Sequence, residues 1–447
     1  MAAAQVLSSP ELVSLILQCF KEQTSEEHYF ENRLTRSTLA EAARVNHIWF
    51  EAVTRVLWSY QQIWGPSMED LDNIECSRRQ IYASRMVSMS ISQEPENASS
   101  AAFSVGFPRL NNLAVEQVGF QNGLSRTTVQ QLLRPSIKSI SFFSWFNGFD
   151  RDLLTTLNSQ CTRLRSVALD RINEGGTDIT PEDFNNFFCN KPIESISLDF
   201  GPPLMSNRLI STFANMENLK KLSITERIFP EAVPEAFLSE DASFFQSLKE
   251  VDIMLDRESV EPITLAFRHA WKVDLNIWSQ PEEQMTMFSH LKHMVNLTKL
   301  DLEFEGDGTF LETEDLYCFG ALTNLERLSI GAREEEYNPI FLEHSGDLSL
   351  RKIVPSMPRL QHLEWLLGAK ISIDTLKILS THCSKLSLGN FNGPWEFSAL
   401  VDEPGCLFPE LTNLTLYREN RDRKLLKQIK LAFRRHAPKV KQLILLG

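Results

Sequence analysis

One spacing of apolar residues recurs along most of this chain and constrains its fold more than any other feature. In residues 219–224, with the sequence LKKLSI, a leucine is followed three and five positions later by further apolar side chains. The spacing returns every 26 to 29 positions between Leu110 and Leu248. Alternation of apolar and polar residues over its last positions predicts a short strand with one buried face.

The repeat extends beyond this regular part. Triplets with the same spacing begin at Leu110, Ile137, Leu164, Ile193, Leu219, Leu248, Leu297, Leu325, Leu360, Leu411 and Val440. Weaker members are predicted at Val273-Leu275-Ile277 and at Leu386-Leu388, and Met86, Met89 and Ile91 already show the spacing. The chain is therefore predicted to be a repeat array over most of its length.

The spacers between triplets contain apolar residues with helical spacing, such as Leu153, Leu154 and Leu157. One strand plus one helix per repeat is the leucine-rich-repeat pattern. Because a single repeat cannot bury its own apolar face, the repeats are expected to stack. The predicted fold class is α/β: a solenoid with a curved parallel sheet and helices on the convex side. A doubly wound α/β domain also alternates strand and helix, but the regular spacing and the lack of a Gly-rich phosphate loop favour the solenoid.

Composition limits the partners. The chain has 447 residues, 58 acidic and 45 basic, with a formal net charge of −13. Long-range repulsion argues against nucleic acid and anionic membranes, and basic protein partners are favoured. Seven cysteines are scattered without metal-ligand or disulfide spacing, which is typical of a reducing compartment. With no apolar run of membrane-spanning length, we expect a cytoplasmic or nuclear protein.

Few residues suggest chemistry. His290 and His293 have helical spacing, but no third metal ligand is near them in sequence, so a surface helix is the preferred interpretation. His382-Cys383 resembles a base and nucleophile, yet Cys383 occupies a repeat core position where a buried thiol is inert. We therefore expect no cofactor, no metal and no enzymatic activity.

The first sixty residues have a different pattern. Ser9-Pro10-Glu11 is a typical helix start, and the apolar residues that follow recur with helical spacing: Leu12, Leu15, Ile16, Cys19 and Phe20. Residues 21–36 are polar and charged and are predicted to be a loop. A second helical pattern begins at Ser37 and closes with Leu57-Trp58. Two or three short helices are expected.

This region resembles an F-box. The resemblance is carried by Leu7, Pro10-Glu11-Leu12 and Ile16, by residues 39–49 (LAEAARVNHIW), and by residues 56–58 (VLW). It implies a helical hairpin that docks on the adaptor subunit of an SCF-type (cullin-RING) ubiquitin ligase. The docking or core positions it implies are Pro10, Leu12, Ile16, Leu39, Val45, Trp49, Leu57 and Trp58. The loop 21–37 is longer than in a compact F-box and resembles the F-box-like variant of fungal proteins.

A helix-breaking Trp64-Gly65-Pro66 and a polar stretch after it indicate a boundary. The predicted organisation is an F-box-like helical domain at 6–60, a junction at 61–80 and a degenerate leucine-rich-repeat solenoid at 81–447. A competing interpretation makes the helices a simple cap on the first repeat.

The concave face of the sheet is the predicted recognition surface. Residues before, between and after the inward apolar positions must point away from the core. The candidates are Asp199, Lys221, Glu250, Asp252, Asp274, Lys299, Asp301, Glu303, Arg327 and Glu364. They lean acidic, which favours a basic or mixed-charge protein segment, although any water-facing strand surface of an acidic chain has this character.

Two functional hypotheses follow. In the first, the chain is a non-catalytic substrate-recognition subunit that binds the SCF adaptor, and through it the cullin, with its helices, and a protein target with its sheet. It is expected to be a monomer within that complex. In the second, it is a leucine-rich-repeat scaffold whose F-box-like cap engages no ligase. Co-purification with the adaptor separates the two.

Overall fold

The computed structural model describes residues 9–22, 38–58, 67–92, 104–116, 124–143, 149–171, 178–189, 191–199, 204–239, 243–278, 287–305, 310–311, 313–332, 341–342, 346–367, 371–392, 400, 403, 405–417 and 423–446. The chain forms two compact units, residues 1–193 and 194–447. Most of the predicted loop 21–37 lies outside the described residues.

The first unit begins with helices and continues as alternating strands and helices. Its elements are α1 (Pro10–Glu22), α2 (His47–Trp58), α3 (Met68–Asp72), α4 (Cys76–Ala83), β1 (Ser88–Ile91), β2 (Asn112–Glu116), α5 (Arg126–Leu132), β3 (Ser139–Phe143), α6 (Arg151–Gln160), β4 (Ser166–Asp170) and α7 (Pro181–Cys189). Helices α3 and α4 thus lie within and just beyond the predicted junction 61–80. The predicted domain boundaries remain a prediction.

The second unit repeats the same alternation. Its strands are β5 (Ser195–Asp199), β6 (Lys221–Ile228), β7 (Glu250–Asp256), β8 (Lys272–Trp278), β9 (Lys299–Glu305), β10 (Phe310–Leu311), β11 (Arg327–Ala332), β12 (Phe341–Leu342), β13 (His362–Trp365), β14 (Leu388–Asn392), β15 (Asn413–Tyr417) and β16 (Gln442–Leu446). Its α-helices are α8 (Asn207–Ala214), α9 (Arg257–Ala266), α10 (Thr313–Tyr317), α11 (Gly346–Ile353), α12 (Ile373–His382) and α13 (Arg423–His436).

Strand pairing follows the order of the chain and is parallel. In the first unit β1 to β4 pair consecutively. In the second unit β5 to β9 do the same, followed by β11, β13, β14, β15 and β16, while β10 pairs with β12. Sequential parallel strands joined through helices or turns are the architecture of a repeat solenoid, so the predicted α/β leucine-rich-repeat fold class is confirmed.

The predicted inward residues form the core. Leu222 pairs in register with Val251, and Ile224 with Ile253, and all four are at most 3% exposed. Burying a leucine or isoleucine side chain contributes roughly 1.5–3 kcal/mol. Successive repeats thus supply rungs of one continuous apolar layer.

One inward assignment was wrong. In β14, Gly389 pairs with Leu363 and Phe391 with Trp365, so Gly389 and Phe391 point inward. Leu388 pairs instead with His362 in the outward row. Because a strand has a side-chain period of two, starting the inward row at Leu388 rather than Gly389 placed every side chain of this strand on the opposite face.

Phenylalanine rings build much of the helix side of the first unit. Phe149 lies edge-on to Phe142 with ring centroids 4.9 Å apart, and it stacks on Phe184 at 6.4 Å. Phe184 stacks in turn on Phe188 at 6.3 Å. These rings connect one repeat to the next, and such pairs stabilise by about 0.5–1.5 kcal/mol beyond their burial.

Main-chain hydrogen bonds join the repeats just before each strand. In the second unit the amide of Lys220 donates to the carbonyl of Glu194 at 2.8 Å, and Lys249 donates to Lys220 at 2.8 Å. The same bond links Trp271 to Lys249 at 3.0 Å and Thr298 to Trp271 at 2.8 Å. This regular connection fixes the register of neighbouring repeats, and therefore which outward side chains lie next to one another.

Candidate protein-interaction surfaces

The helical hairpin of the first unit has a small apolar core. Val13 and Leu17 of α1 are buried against Leu39 and Val53. Further apolar residues pack around this core: Ala42, Ala43, Ile48, Trp49, Ala52, Val56 and Leu57. The amide of Leu12 donates to the Ser9 hydroxyl at 3.4 Å, which caps the start of α1 as predicted.

The exposed apolar residues of α1 lie away from this core. Leu12 is 40% exposed and Leu15 is 56% exposed, and because they are three positions apart they share one face of the helix. Val45, in the turn before α2, is 64% exposed. A helix that presents two leucines to water has the character of a docking surface.

The eight predicted adaptor-binding residues thus differ in their exposure to solvent. Pro10, Leu12 and Val45 are exposed and Ile16 is half-buried. Those that pack against the hairpin core are Leu39, Trp49 and Leu57. Adaptor binding by any of them stays a prediction, but the exposed subset is the one available to a partner.

The hairpin is joined to the helices and first strand that follow it. Arg85 forms an ion pair with Glu51 and donates to the Thr54 hydroxyl, both on α2. The Trp58 ring lies 5.1 Å from that of Tyr82 on α4. Trp58, predicted as a docking or core residue, is therefore part of this packing contact.

The outward face of the sheet in the second unit carries two rows of opposite charge. The first row has mostly basic residues, in register across the strands: Lys221, Glu250, Lys272, Lys299, Arg327 and His362. The second row, two residues further along each strand, is acidic at most positions: Ser223, Asp252, Asp274, Asp301, Ser329 and Glu364. Adjacent strands lie about 4.8 Å apart, so the rows are dense.

Ion pairs connect the two rows. Lys272 Nζ lies 2.7 Å from Asp274 Oδ2, and Arg327 lies 2.8 Å from Asp301 through Nε and 3.4 Å from Glu364 through a terminal nitrogen. Asp252 is exposed and accepts a hydrogen bond from the Ser223 hydroxyl at 3.1 Å. The predicted acidic face is thus partly neutralised by its own basic row.

Asp274 is the most perturbed carboxyl group of this face. Burial, together with the hydrogen bond and charge of Asp301, raises its pKa to about 6, against the opposing effect of Lys272. Burial and the positive charge of Arg327 lower the pKa of His362. Burial beside a second carboxylate thus disfavours the charged form of Asp274 even though Lys272 is paired with it.

An aromatic cluster lies further along the same face. The guanidinium of Arg227 is 5.0 Å from the centroid of Phe229 and 4.9 Å from that of Trp278. Its Nε donates to Asp256 at 2.8 Å. Exposed Glu303 is in the same rung as Arg227 and Met254. Arginine and tryptophan are the residues most enriched at binding hot spots.

The histidines and the cysteine considered above for metal binding or catalysis make contacts within the fold. His290 Nε2 lies 3.1 Å from Glu261, and its ring is 5.8 Å from that of His293. Cys383 is buried, and burial raises its pKa to about 12. Within the described residues, no three His, Cys, Asp or Glu side chains are grouped so as to hold a metal, and no helix is long and apolar enough to cross a bilayer.

No family model and no curated protein sequence matches this chain. Among solved structures, it is similar to the complex of Rad7 and Elc1 in yeast, at 12% identity and a TM-score of 0.44, over 95% of this chain and 94% of that one. It is also similar to the complex of TLR13 with ssRNA13, at 16% identity and a TM-score of 0.42, over 80% of this chain and 54% of that one. Both likenesses are too distant to bear on function.

Sequence reasoning missed four contributors to these surfaces. Leu15 was recognised as part of an apolar stripe but not as a docking residue. Lys272 precedes Val273 as Lys221 precedes Leu222, so the same positional rule finds it. Arg227 and Trp278 come together through a register shift in β6 between Ile224 and Arg227, for which the sequence offers no clear signal.

Proposed function

We propose that this chain is a non-catalytic substrate-recognition subunit of an SCF-type ubiquitin ligase in the cytoplasm or nucleus. Its hairpin binds the adaptor subunit, which connects it to the cullin, and its sheet face binds a protein target. Transfer of ubiquitin is then accelerated by proximity, because binding raises the effective concentration of the target.

One observation carries the adaptor half of the proposal. Val13, Leu17, Leu39 and Val53 form a buried core in the hairpin, yet Leu12 and Leu15 of α1 remain exposed. Because Leu12 is 40% and Leu15 56% exposed, covering them with a partner surface would contribute roughly 0.6–1.7 kcal/mol each. Together with the F-box resemblance, this face is the binding site we assign to the adaptor.

The adaptor test is co-purification of the full chain with the SCF adaptor subunit. Leu12→Asp with Leu15→Asp is expected to abolish it without loss of helix content, since neither side chain is in the core. The matched control is Leu238→Asp, at a leucine that is 62% exposed in the second unit. Trp49→Ala is unsuitable, because Trp49 packs against the hairpin core. Adaptor that stays bound to the double variant contradicts this assignment.

The target half rests on the excess of carboxylates on the sheet face. Outward acidic residues in register on β6 to β13 are Glu250, Asp252, Asp256, Asp274, Asp301, Glu303, Glu305 and Glu364, and the basic ones are Lys221, Arg227, Lys272, Lys299 and Arg327. Asp252 and Glu303 are exposed. A basic protein segment would complement these charges and stay subject to screening by salt.

The target test replaces exposed carboxylates only, because Asp301 already pairs with Arg327. Asp252→Lys with Glu303→Lys is expected to weaken binding of a lysine-rich peptide, measured by calorimetry. Glu217→Lys with Glu231→Lys, two exposed residues outside the sheet, is the control. Equal affinity in both variants would remove the sheet face from the proposal.

A scaffold function is the second candidate. It is favoured if the unmutated chain does not co-purify with the adaptor while the sheet face still binds its peptide.

A further inference from the structure

The last helix of the second unit differs in charge from the rest of the chain. Residues 423–447 contain eight lysine or arginine residues and no aspartate or glutamate. Since the whole chain has a net charge of −13, the preceding 422 residues carry −21. Six of the eight basic residues fall in α13, so the sequence of this helix is basic in a strongly acidic chain.

The apolar side of α13 is already used by the fold. Ala432 and Phe433 are at most 5% exposed and His436 is fully buried. His436 Nε2 lies 3.1 Å from the carbonyl of Leu400, and the His436 carbonyl accepts from the Phe408 amide at 2.8 Å. Ala432, Phe433 and His436 are therefore not available to insert into a bilayer.

The opposite side of α13 carries cations around one leucine. Lys430 and Arg434 are exposed and four positions apart, so they share a face, and Leu431 beside them is 66% exposed. Arg423, Lys424 and Lys427 lie one to two turns earlier in the same helix.

Two described carboxylates in the segments before α13 are engaged with other cations. Glu403 pairs with Lys377, and Glu410 is 2.7 Å from Lys439. Within the part of the chain that the structure describes, Lys430 and Arg434 form no ion pair. Their charges are therefore available to an external anionic group.

We propose that the exposed face of α13, centred on Lys430, Leu431 and Arg434, binds a short acidic segment of a partner protein that also contributes an apolar side chain. The carboxylates of such a segment meet the cations, and its apolar residue covers Leu431.

A short segment fits this surface better than an extended polyanion. Electrostatic screening limits each charge to about 8 Å at physiological salt, so a short peptide meets the basic face alone. A nucleic acid or a membrane extends much further and meets the −21 of the remaining chain. Phosphates also offer nothing to cover Leu431. This inference is independent of the adaptor and the sheet face, since it involves different residues.

The experiment measures binding of the full chain to a fluorescent peptide of glutamates around a central phenylalanine, by anisotropy at low and physiological salt. We expect binding that weakens with salt and is absent for the peptide with glutamine in place of glutamate. Lys430→Glu with Arg434→Glu should weaken it about tenfold or more, since two attractions become repulsions. Leu431→Ala should weaken it several-fold.

The matched control is Lys249→Glu with Lys292→Glu, which makes the same change in net charge at exposed lysines of earlier repeats. It should keep nearly full affinity, and all variants should show the same circular dichroism and unfolding midpoint. Equal affinity in the Lys430/Arg434 variant and its control, or no binding of the peptide by the unmutated chain, would overturn the proposal. So would tighter binding to a single-stranded oligonucleotide or to phosphatidylserine vesicles through the same residues.

Discussion

Asp274 offers a direct test of the electrostatics of the sheet face. Its carboxyl group belongs to the acidic row and pairs with Lys272. Burial and the neighbouring Asp301 raise its pKa from 3.8 to about 6. Replacing it with asparagine keeps the shape and lets the amide accept from Lys272 and donate to Asp301. The charge that the folded state disfavours is removed.

The size of the effect follows from linkage between protonation and folding. A pKa raised by about two units corresponds to about 3 kcal/mol, at 1.36 kcal/mol per unit. The Asp274 side chain is 24% exposed, so solvent reduces this to about 1–2 kcal/mol. The opposing attraction of Lys272 is already included in this raised pKa. We expect Asp274→Asn to stabilise the protein by about 1 kcal/mol above pH 6.

The sign of the pH dependence is fixed. Between about pH 4 and about pH 6, Asp274 keeps its proton in the folded state but has released it in the unfolded state. The contribution of Asp274 to the stability of the unmutated protein therefore falls as pH rises. The advantage of Asp274→Asn should therefore grow over this interval and stay constant above it.

Urea unfolding followed by circular dichroism at several pH values measures this difference, and an unchanged slope shows that the denatured state is the same. Asp252→Asn, the same chemical change at an exposed position of the same row, is the control. An Asp274→Asn protein that is less stable than the unmutated one at about pH 8, or whose advantage does not vary with pH, would refute the reasoning.

Two other predictions concern the core. Gly389→Ala should lower the free energy of unfolding by about 1–3 kcal/mol in urea, because the new Cβ would lie 2.8 Å from Phe391 Cε2 and 3.3 Å from Leu414 Cδ1. The control is Gly106→Ala, which should be close to neutral because no neighbouring atom lies within 4 Å of the new Cβ. Equal effects of the two substitutions would contradict this account. Burial raises the pKa of Cys383 to about 12, so this thiol should resist alkylation of the folded protein at about pH 8, whereas the exposed Cys76 should react. Mass spectrometry of the alkylated protein measures both. Comparable labelling of the two cysteines would show that this part of the core opens readily.

Much of the fold was predictable because the repeat is a local pattern. A strand with one buried face must alternate, and a spacer with helical spacing must bury one side, so LKKLSI and its equivalents determined the strands, their inward residues and the solenoid class. The prediction failed at β14, where the repeat has glycine at the first inward strand position. With no apolar side chain at that position, the neighbouring Leu388 was assigned inward. The register of the backbone instead places Gly389 and Phe391 inward.

The candidate surfaces depended on contacts between distant residues. The helical spacing in α1 identified an apolar stripe, but packing of Val13 and Leu17 against Val53 decided that Leu12 and Leu15 are exposed. Similarly, the positional rule identified outward charges, whereas the hydrogen bonds between repeats decided that a basic row lies beside an acidic one.

By itself, the sequence determined that this protein is an acidic repeat solenoid with a helical start, since periodicity and charge are properties of the chain. Only the tertiary structure decided which leucines remain exposed, which carboxylate is buried beside another carboxylate, and which side of the basic last helix is exposed. Burial and ion pairing are set by neighbours that lie a whole repeat away in sequence.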